Sequence, residues 1–346
     1  MDPLNQLRAS FEAFTLDFKR PSGTSRGILT QKKGWKLELT NSKGITGLGE
    51  CSIIPGLSPD YISDKTYEQK LEEVCQNPLH FIENRGLLNS HPSILFGLES
   101  AYFDLKNGGK RIYFESAKAP TGFSIPINGL IWMGDESYMQ SQIEEKLAAG
   151  FTCIKLKVGA IDFKQELKLL EGIRSRYDAS QIILRVDANG AFKMDDAGWK
   201  LKELSKLDLH SIEQPIKAGS WNDMKDLCQK TPLPIALDEE LIGINERERK
   251  IDLLETIKPQ YIILKPSLHG GFSGTSEWIE LAEARQIPWW ITSALESNIG
   301  LNAIAQFTAD FNPVLPQGLG TGGLYETNFE TPLRIEKGFL KYYSKR

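Results

Sequence analysis

The 346-residue sequence predicts an α/β protein. Its expected architecture is a (β/α)8-type barrel, a modified TIM barrel, with an N-terminal α+β capping domain completed by the C-terminal tail. Three observations predict it. From residue 124 onward, apolar strand-like runs alternate with helical patterns. The last polar residues of the central runs, Lys157, Asp187, Glu213, Asp238, Lys265 and Ser293, follow one another at steps of 25–30 residues, about the length of one βα unit. The runs, such as Ile182-Ile183-Leu184 and Tyr261-Ile262-Ile263-Leu264, are continuously apolar, as parallel strands covered on both faces should be. A doubly wound open sheet would also alternate, but no GxGxxG motif follows a first strand.

Each element has its own signal. Residues 7–18 alternate and read as a strand. Residues 19–27, with Pro21 and Gly23, read as a loop. A second strand follows at 28–40 around Trp35, Leu37 and Leu39, then a turn at Asn41–Gly44. A third strand at 45–51 carries Gly47 and Gly49, and Pro55–Pro59 forms another loop. Helical spacing takes over at 66–76 and 93–107. Ser93 is placed to cap the second helix, and Gly108-Gly109 to stop it. Strands followed by helices define a capping domain over 1–122. The barrel occupies 123–322, with strands at 124–130, 152–158, 182–187, 209–213, 234–238, 261–265, 289–293 and about 314–318. The tail, 323–346, is expected to return to the cap and pack Leu333, Ile335, Phe339 and Leu340 there.

Composition narrows the function classes. Against 45 Asp and Glu there are 41 Lys and Arg, a net charge of −4, with no dense basic run. Nothing points to nucleic acid. No apolar run reaches membrane-spanning length, and the N-terminus has no secretory signature. Cys51, Cys75, Cys153 and Cys228 lie far apart without a CxxC, as expected of reduced thiols in a cytoplasmic protein. His80, His91, His210 and His269 are scattered, which argues against a histidine metal centre. Oligomeric state is left undetermined.

The chemistry gathers at the strand ends, where (β/α)8 barrels place their active residues. In 152–158, Lys155 and Lys157 share one strand face, opposite Ile154 and Leu156. Taken alone they could be surface lysines of a solvated edge strand. Downstream, Asp187, Glu213 and Asp238 end three successive strands, and Lys265 ends the next. Any one carboxylate could be a helix cap or a rim ion pair. Three in equivalent positions would repel one another unless a cation lay among them. An all-oxygen set suits a hard ion, Mg²⁺ first and Mn²⁺ second. Strands two and six face each other across the ring, so Lys157 and Lys265 should flank the α-carbon of a small-molecule carboxylate substrate. The metal would act as a Lewis acid for the enediolate formed on α-proton loss. A lysine serves as base if burial and its neighbours lower its pKa toward roughly 7–8.

With these residues in view, the chain resembles the enolase superfamily in its muconate-lactonising subgroup. Lys155-Leu-Lys157, Asp187-Ala-Asn189, Glu213-Gln-Pro215, Asp238-Glu239 and Leu264-Lys265-Pro266 match its lysine and metal-ligand motifs. Gly47-Leu-Gly-Glu50 and the loop to Ser58 resemble its capping specificity loop. Within the subgroup, Arg185-Val-Asp187, Ser293-Ala-Leu-Glu-Ser297 and Leu319-Gly-Thr-Gly322 most resemble the o-succinylbenzoate synthase family. The resemblance implies a Mg²⁺-dependent carbon–oxygen lyase of menaquinone biosynthesis. Its reaction would be syn dehydration of 2-succinyl-6-hydroxy-2,4-cyclohexadiene-1-carboxylate. It implies Lys157 as base, Lys265 as the cation stabilising the enediolate, Lys155 as a supporting lysine, and Asp187, Glu213 and Asp238 as ligands. It also implies substrate contacts from Arg185, Asn189, Ser293, Ser297 and Gly320. Arg26 is added because a cap loop must close the site and Arg26 is its most useful charge, the alternative being a solvated loop arginine. By alternation, Arg185 should point into the barrel beside Asp187. Glu239 is expected beside the ligands, Glu50 at the domain interface, and His210 and His269 in structural roles.

The nearest alternative is an N-acylamino acid racemase or dipeptide epimerase, using Lys157 and Lys265 on the two faces of the α-carbon. The acid-free Gln317–Gly322 stretch disfavours dipeptides. Muconate cycloisomerisation is less favoured by the serines near 293–297. A Schiff-base barrel would leave three carboxylates unexplained, and a non-catalytic metal-binding barrel would leave the paired lysines without purpose.

Overall fold

Alternating polar and apolar residues build the cap sheet from three antiparallel strands, β1 (Arg8–Thr24), β2 (Gly27–Thr40) and β3 (Thr46–Ser52), in that order. The structure, a computed structural model, describes residues 6–24, 27–114, 121–159 and 161–344. β1 pairs with β2 from Arg8↔Thr40 to Asp17↔Gln31, shifts register, and resumes at Ser22↔Leu29. The loop expected over 19–27 is therefore largely a hairpin arm. Pro21 falls within the register shift, where its missing N–H costs the ladder nothing. The helix Pro92–Lys106 packs across the sheet. A Cβ on Gly47 would lie 2.1 Å from Ala101 O, and one on Gly49 would lie 1.9 Å from Gly97 O. Only glycine permits so close an approach. Ser93 is not the cap of this helix. It lies inside the first turn and donates from N and Oγ to Asp60 Oδ2 at 2.9 and 2.6 Å.

Seven parallel strands form the barrel sheet: β5 (Gly129–Ile131), β6 (Cys153–Lys157), β7 (Ile183–Asp187), β8 (Ser211–Glu213), β9 (Ile235–Leu237), β10 (Tyr261–Leu264) and β11 (Trp289–Ile291). Each is followed by a helix, the last being Asn298–Asp310. The eighth position is a bridge rather than a strand. Gln317 bridges to Ile127 and Gly318 to Thr292, closing the ring. Gly318 is required there, because a Cβ would meet Thr292 Oγ1 at 2.0 Å. The strand expected over 124–130 divides in two. β4 (Phe123–Pro126) leaves the barrel to pair with β13 (Phe339–Tyr342), and only Gly129–Ile131 joins the ring.

The tail serves both domains. Lys19 N donates to Leu324 O and Glu326 N donates to Asp17 O, each at 2.9 Å, so this segment returns to the cap arm as expected. The end does not. β12 (Leu333–Glu336) and β13 form a hairpin against β4, with Leu333 and Leu340 in the barrel core and Ile335 and Phe339 partly exposed. Leu340 opposes Ile125 in register, so its apolar face is drawn to the barrel rather than the cap. Among the described residues, no helix is long and apolar enough to cross a membrane.

Candidate active site

Parallel register sets the site. Lys157 pairs with Asp187 and Asp187 with Glu213 across β6, β7 and β8. In-register residues point the same way, so these side chains crowd one barrel mouth. Lys157 Nζ lies 3.0 Å from Asp187 Oδ2 and 2.5 Å from Asn189 Oδ1. Lys155 Nζ lies 3.1 Å from Asp187 Oδ2 and 2.5 Å from Glu213 Oε2. From the other side, Lys265 Nζ reaches Asp238 Oδ2 at 2.6 Å. The three lysine side chains are only 11–12% exposed, so solvent screens these pairs weakly. Asn189 adopts φ +43°, a left-handed turn that asparagine tolerates. The turn lets its backbone N–H donate to Asp187 Oδ1 at 3.0 Å, while its Nδ2 donates to Glu239 Oε1 at 3.1 Å.

The electrostatics are divided. Burial pushes the Asp187 carboxyl up, but Lys155, Lys157 and Lys265 together hold it below the usual carboxylate range. Glu213 goes the other way, to about 7: burial and the Asp187 and Asp238 charges outweigh Lys155. Burial alone would lower Lys155 and Lys265. Asp187 and Glu213 raise the first, and Asp238 and Glu239 raise the second. The downward shift expected from crowded lysines is thus reversed for these two by the carboxylates around them. His269 accepts from Lys265 N through Nδ1 at 2.9 Å, and burial keeps the ring neutral.

The donor set fits a hard cation. Glu213 Oε1 and Asp238 Oδ1 are buried with no hydrogen-bond partner, and such oxygens normally have one. As the side chains stand, no three described His, Cys, Asp or Glu groups are gathered closely enough to ligate an ion. Lys155 Nζ bridges Asp187 and Glu213 instead, while Lys157 and Lys265 each meet one carboxylate, Asp187 and Asp238.

The other expected residues divide. A cavity of about 580 Å³ opens above the mouth, and Asn189, Ser293 and Gly320 line it. Ser293 Oγ is 2.8 Å from Thr321 Oγ1. Ser297 does not line the cavity: it caps the helix Asn298–Asp310 and donates from Oγ to Glu50 Oε2 at 2.5 Å. Arg185 points inward but lies beneath the site, fully buried. Its guanidinium sits 4.0 Å over the Trp290 ring and donates to Pro316 O at 2.7 Å. It is one pleat below Asp187, which places it in the packed barrel interior. Arg26 falls outside the described residues.

The chain is 46% identical to an o-succinylbenzoate synthase from Desulfotalea psychrophila, over 97% of this chain and 99% of that protein. It belongs to the o-succinylbenzoate synthase family. The solved structure of MenC from the same organism superposes with a TM-score of 0.85 at 44% identity, covering 96% of this chain and 99% of that one. Residues 138–345 match the family model described as enolase C-terminal domain-like. An N-succinyl Arg/Lys racemase structure from Bacillus cereus, at 20% identity and a TM-score of 0.82 over 97% of this chain and 93% of that one, shares the fold. Membership in the o-succinylbenzoate synthase family makes the chain an enzyme, a carbon–oxygen lyase of the dehydratase kind, and supports a metal cofactor and a small-molecule substrate.

The cavity wall also includes Ile54, Leu57, Leu295 and Thr321, which lie in the stretches that resemble the family but were not singled out, and Trp132, which lies outside them. Trp132 had a usable signal. It follows β5 directly, at the C-terminal strand end where barrel enzymes act, but reading 124–130 as one strand hid it. Leu295 and Thr321 lie in irregular segments without periodicity.

Proposed function

We propose that the enzyme dehydrates 2-succinyl-6-hydroxy-2,4-cyclohexadiene-1-carboxylate to o-succinylbenzoate for menaquinone biosynthesis in the cytoplasm. The observation that carries this reading is the opposed lysine pair. Lys157 ends β6 and Lys265 follows β10, across the ring, each ion-paired to a different carboxylate. Asp187, Glu213 and Asp238 would hold Mg²⁺, and the two partnerless oxygens support that assignment. When bound, the ion supplies Lewis-acid stabilisation of negative charge on the substrate carboxylate.

Lys157 takes the α-proton onto Nζ. Asn189 and Asp187 hold that nitrogen in place through two hydrogen bonds. The C–O bond to the hydroxyl group on the same face then breaks, and the Lys157 ammonium returns the proton so that water leaves. Lys265 stays charged beside Asp238 and opposes the developing negative charge. Ser293 and Gly320 face the substrate from the closing side of the ring. Arg185 and Ser297 lie away from the cavity, which supports roles in holding the barrel rather than the substrate.

The test is ultraviolet-monitored turnover of the cyclohexadiene carboxylate by wild-type protein with Mg²⁺ and after chelation. Turnover that chelation abolishes is the expected result. A folded wild type that leaves this substrate untouched sinks the reading. A racemisation screen on N-acylamino acids would then follow, since the same two lysines suit that chemistry.

A further inference from the structure

A second charged cluster lies outside the cavity, buried where cap meets barrel. Glu50 on β3 is fully buried, and burial pushes its carboxyl up. Its Oε1 accepts from Ser297 N at 2.9 Å, and its Oε2 accepts from Ser297 Oγ at 2.5 Å and Gly300 N at 2.8 Å. A cap carboxylate thus closes the start of the barrel helix Asn298–Asp310, where partly positive N–H groups favour an anion. Gly300 makes room: a Cβ there would lie 2.9 Å from Glu50 Oε2.

Two further groups extend the cluster toward the site. Lys32 on β2 is buried and donates from Nζ to Ile53 O. Burial pulls its ammonium down to about 8, although Glu50 and Glu296 oppose the shift. Ile53 starts the loop whose Ile54 and Leu57 line the cavity, and Ser58 Oγ ties that loop by accepting from Ile54 N at 2.8 Å. Buried Glu296 accepts from Ser267 Oγ at 2.6 Å, two residues after Lys265. Between Ser293 and Ser297, Leu295 holds φ +63°, unfavourable for leucine, with Tyr325 Oη donating to its carbonyl at 2.6 Å. Three cavity segments therefore meet one buried cluster: the cap loop 53–58, the β11 end 293–297 and the β10 end 265–269.

We propose that Glu50 is a positioning residue. With Lys32 and Glu296 it fixes the cap loop over the mouth and holds the segments bearing Lys265 and Ser293 at their working distance. It touches neither substrate nor metal ligand. Its action is geometric, and small misplacement of reacting groups is enough to cost about 100-fold in rate.

The experiment measures kcat, KM, the Mg²⁺ concentration for half-activity and thermal midpoint for wild type, Glu50→Ala, Glu50→Gln, Lys32→Met and Glu99→Ala. The inference rests on the reaction proposed above, and wild-type turnover in the same assay separates the two: no wild-type turnover overturns that reaction, not this role. Well below the midpoints, Glu50→Ala is expected to lose about 10- to 100-fold in kcat/KM with unchanged Mg²⁺ dependence. Glu50→Gln keeps shape and one acceptor, so an intermediate loss is expected from it. Lys32→Met is expected to act mainly through KM. Glu99→Ala, at a second cap–barrel contact away from the cavity, is expected to lose stability but keep wild-type kcat. If Glu50→Ala does not fold, the near-isosteric Glu50→Gln carries the same reading. Glu50 variants that are destabilised like Glu99→Ala yet stay within about twofold of wild-type kinetics would overturn the proposal.

Discussion

Buried carboxylates at the barrel mouth and at the cap–barrel seam are treated in opposite ways. At the mouth, Asp187, Glu213 and Asp238 face lysines. At the seam, Glu50 and Glu99 accept backbone N–H groups at the starts of barrel helices. Glu99 Oε2 takes Phe272 N at 2.6 Å and Ser273 N at 3.2 Å. Burying a carboxylate costs several kcal/mol unless it is paired. At the seam, fixed backbone dipoles offset that cost without involving any group that reacts. At the mouth the offset comes from groups that also carry the reaction, so the same atoms cannot be optimised for stability alone.

Breaking the mouth should cost activity, and breaking the seam contact that lies away from the cavity, at Glu99, should cost stability. The largest expected effect is Lys157→Ala, which should lower kcat by about 1000-fold or more, with unchanged circular dichroism. Wild-type-like kcat in that variant would remove Lys157 from the chemistry. Next is Asn189→Ala, which frees Lys157 Nζ and should cost roughly 10- to 100-fold in kcat. An effect on KM alone would instead make Asn189 a substrate contact. At the seam, Glu99→Ala leaves two helix N–H groups without an acceptor and should cost about 3 kcal/mol in denaturant unfolding, with kcat kept.

The smallest effect is a pH dependence. Asp60 also meets a helix start, at Ser93, but burial outweighs those hydrogen bonds and raises its carboxyl from 3.8 to about 6. Between these values the folded state binds more protons than the unfolded one. Wild type should therefore gain stability relative to Asp60→Asn as pH falls through that window, by about 2–3 kcal/mol. Denaturant unfolding of both proteins near neutrality and near pH ~4 checks the sign. Wild type losing stability relative to Asp60→Asn as pH falls would mean the helix start, not burial, governs Asp60.

How far the sequence reached follows the same division. The site motifs were legible because barrel strand ends carry chemistry at a regular step, and the register places Lys157, Asp187 and Glu213 side by side. Arg185 was misread because alternation gives direction but not depth: it points inward, one pleat too low to reach the cavity. Ser297 was read as a substrate contact, yet it is a helix cap, a role the same hydroxyl fills equally well. The split of β4 from β5 and the destination of the tail depend on the pairing of Leu340 with Ile125, more than 200 residues apart. Local periodicity holds no such information. The seam was legible only as Glu50 at an interface, because Glu99 lies within a helix whose apolar stripe dominates the pattern.

The most direct measurement sets Glu213→Gln beside Glu99→Ala, recording kcat with Mg²⁺ and unfolding free energy in chelator for each. Glu213→Gln is expected to lose roughly 100-fold or more in kcat. Because the Glu213 carboxyl is already raised to about 7, its neutral amide should change stability by less than about 1 kcal/mol. Glu99→Ala is expected to do the reverse. A Glu213→Gln protein that is active but strongly destabilised, or a stable Glu99→Ala protein without turnover, would contradict the division of roles between mouth and seam.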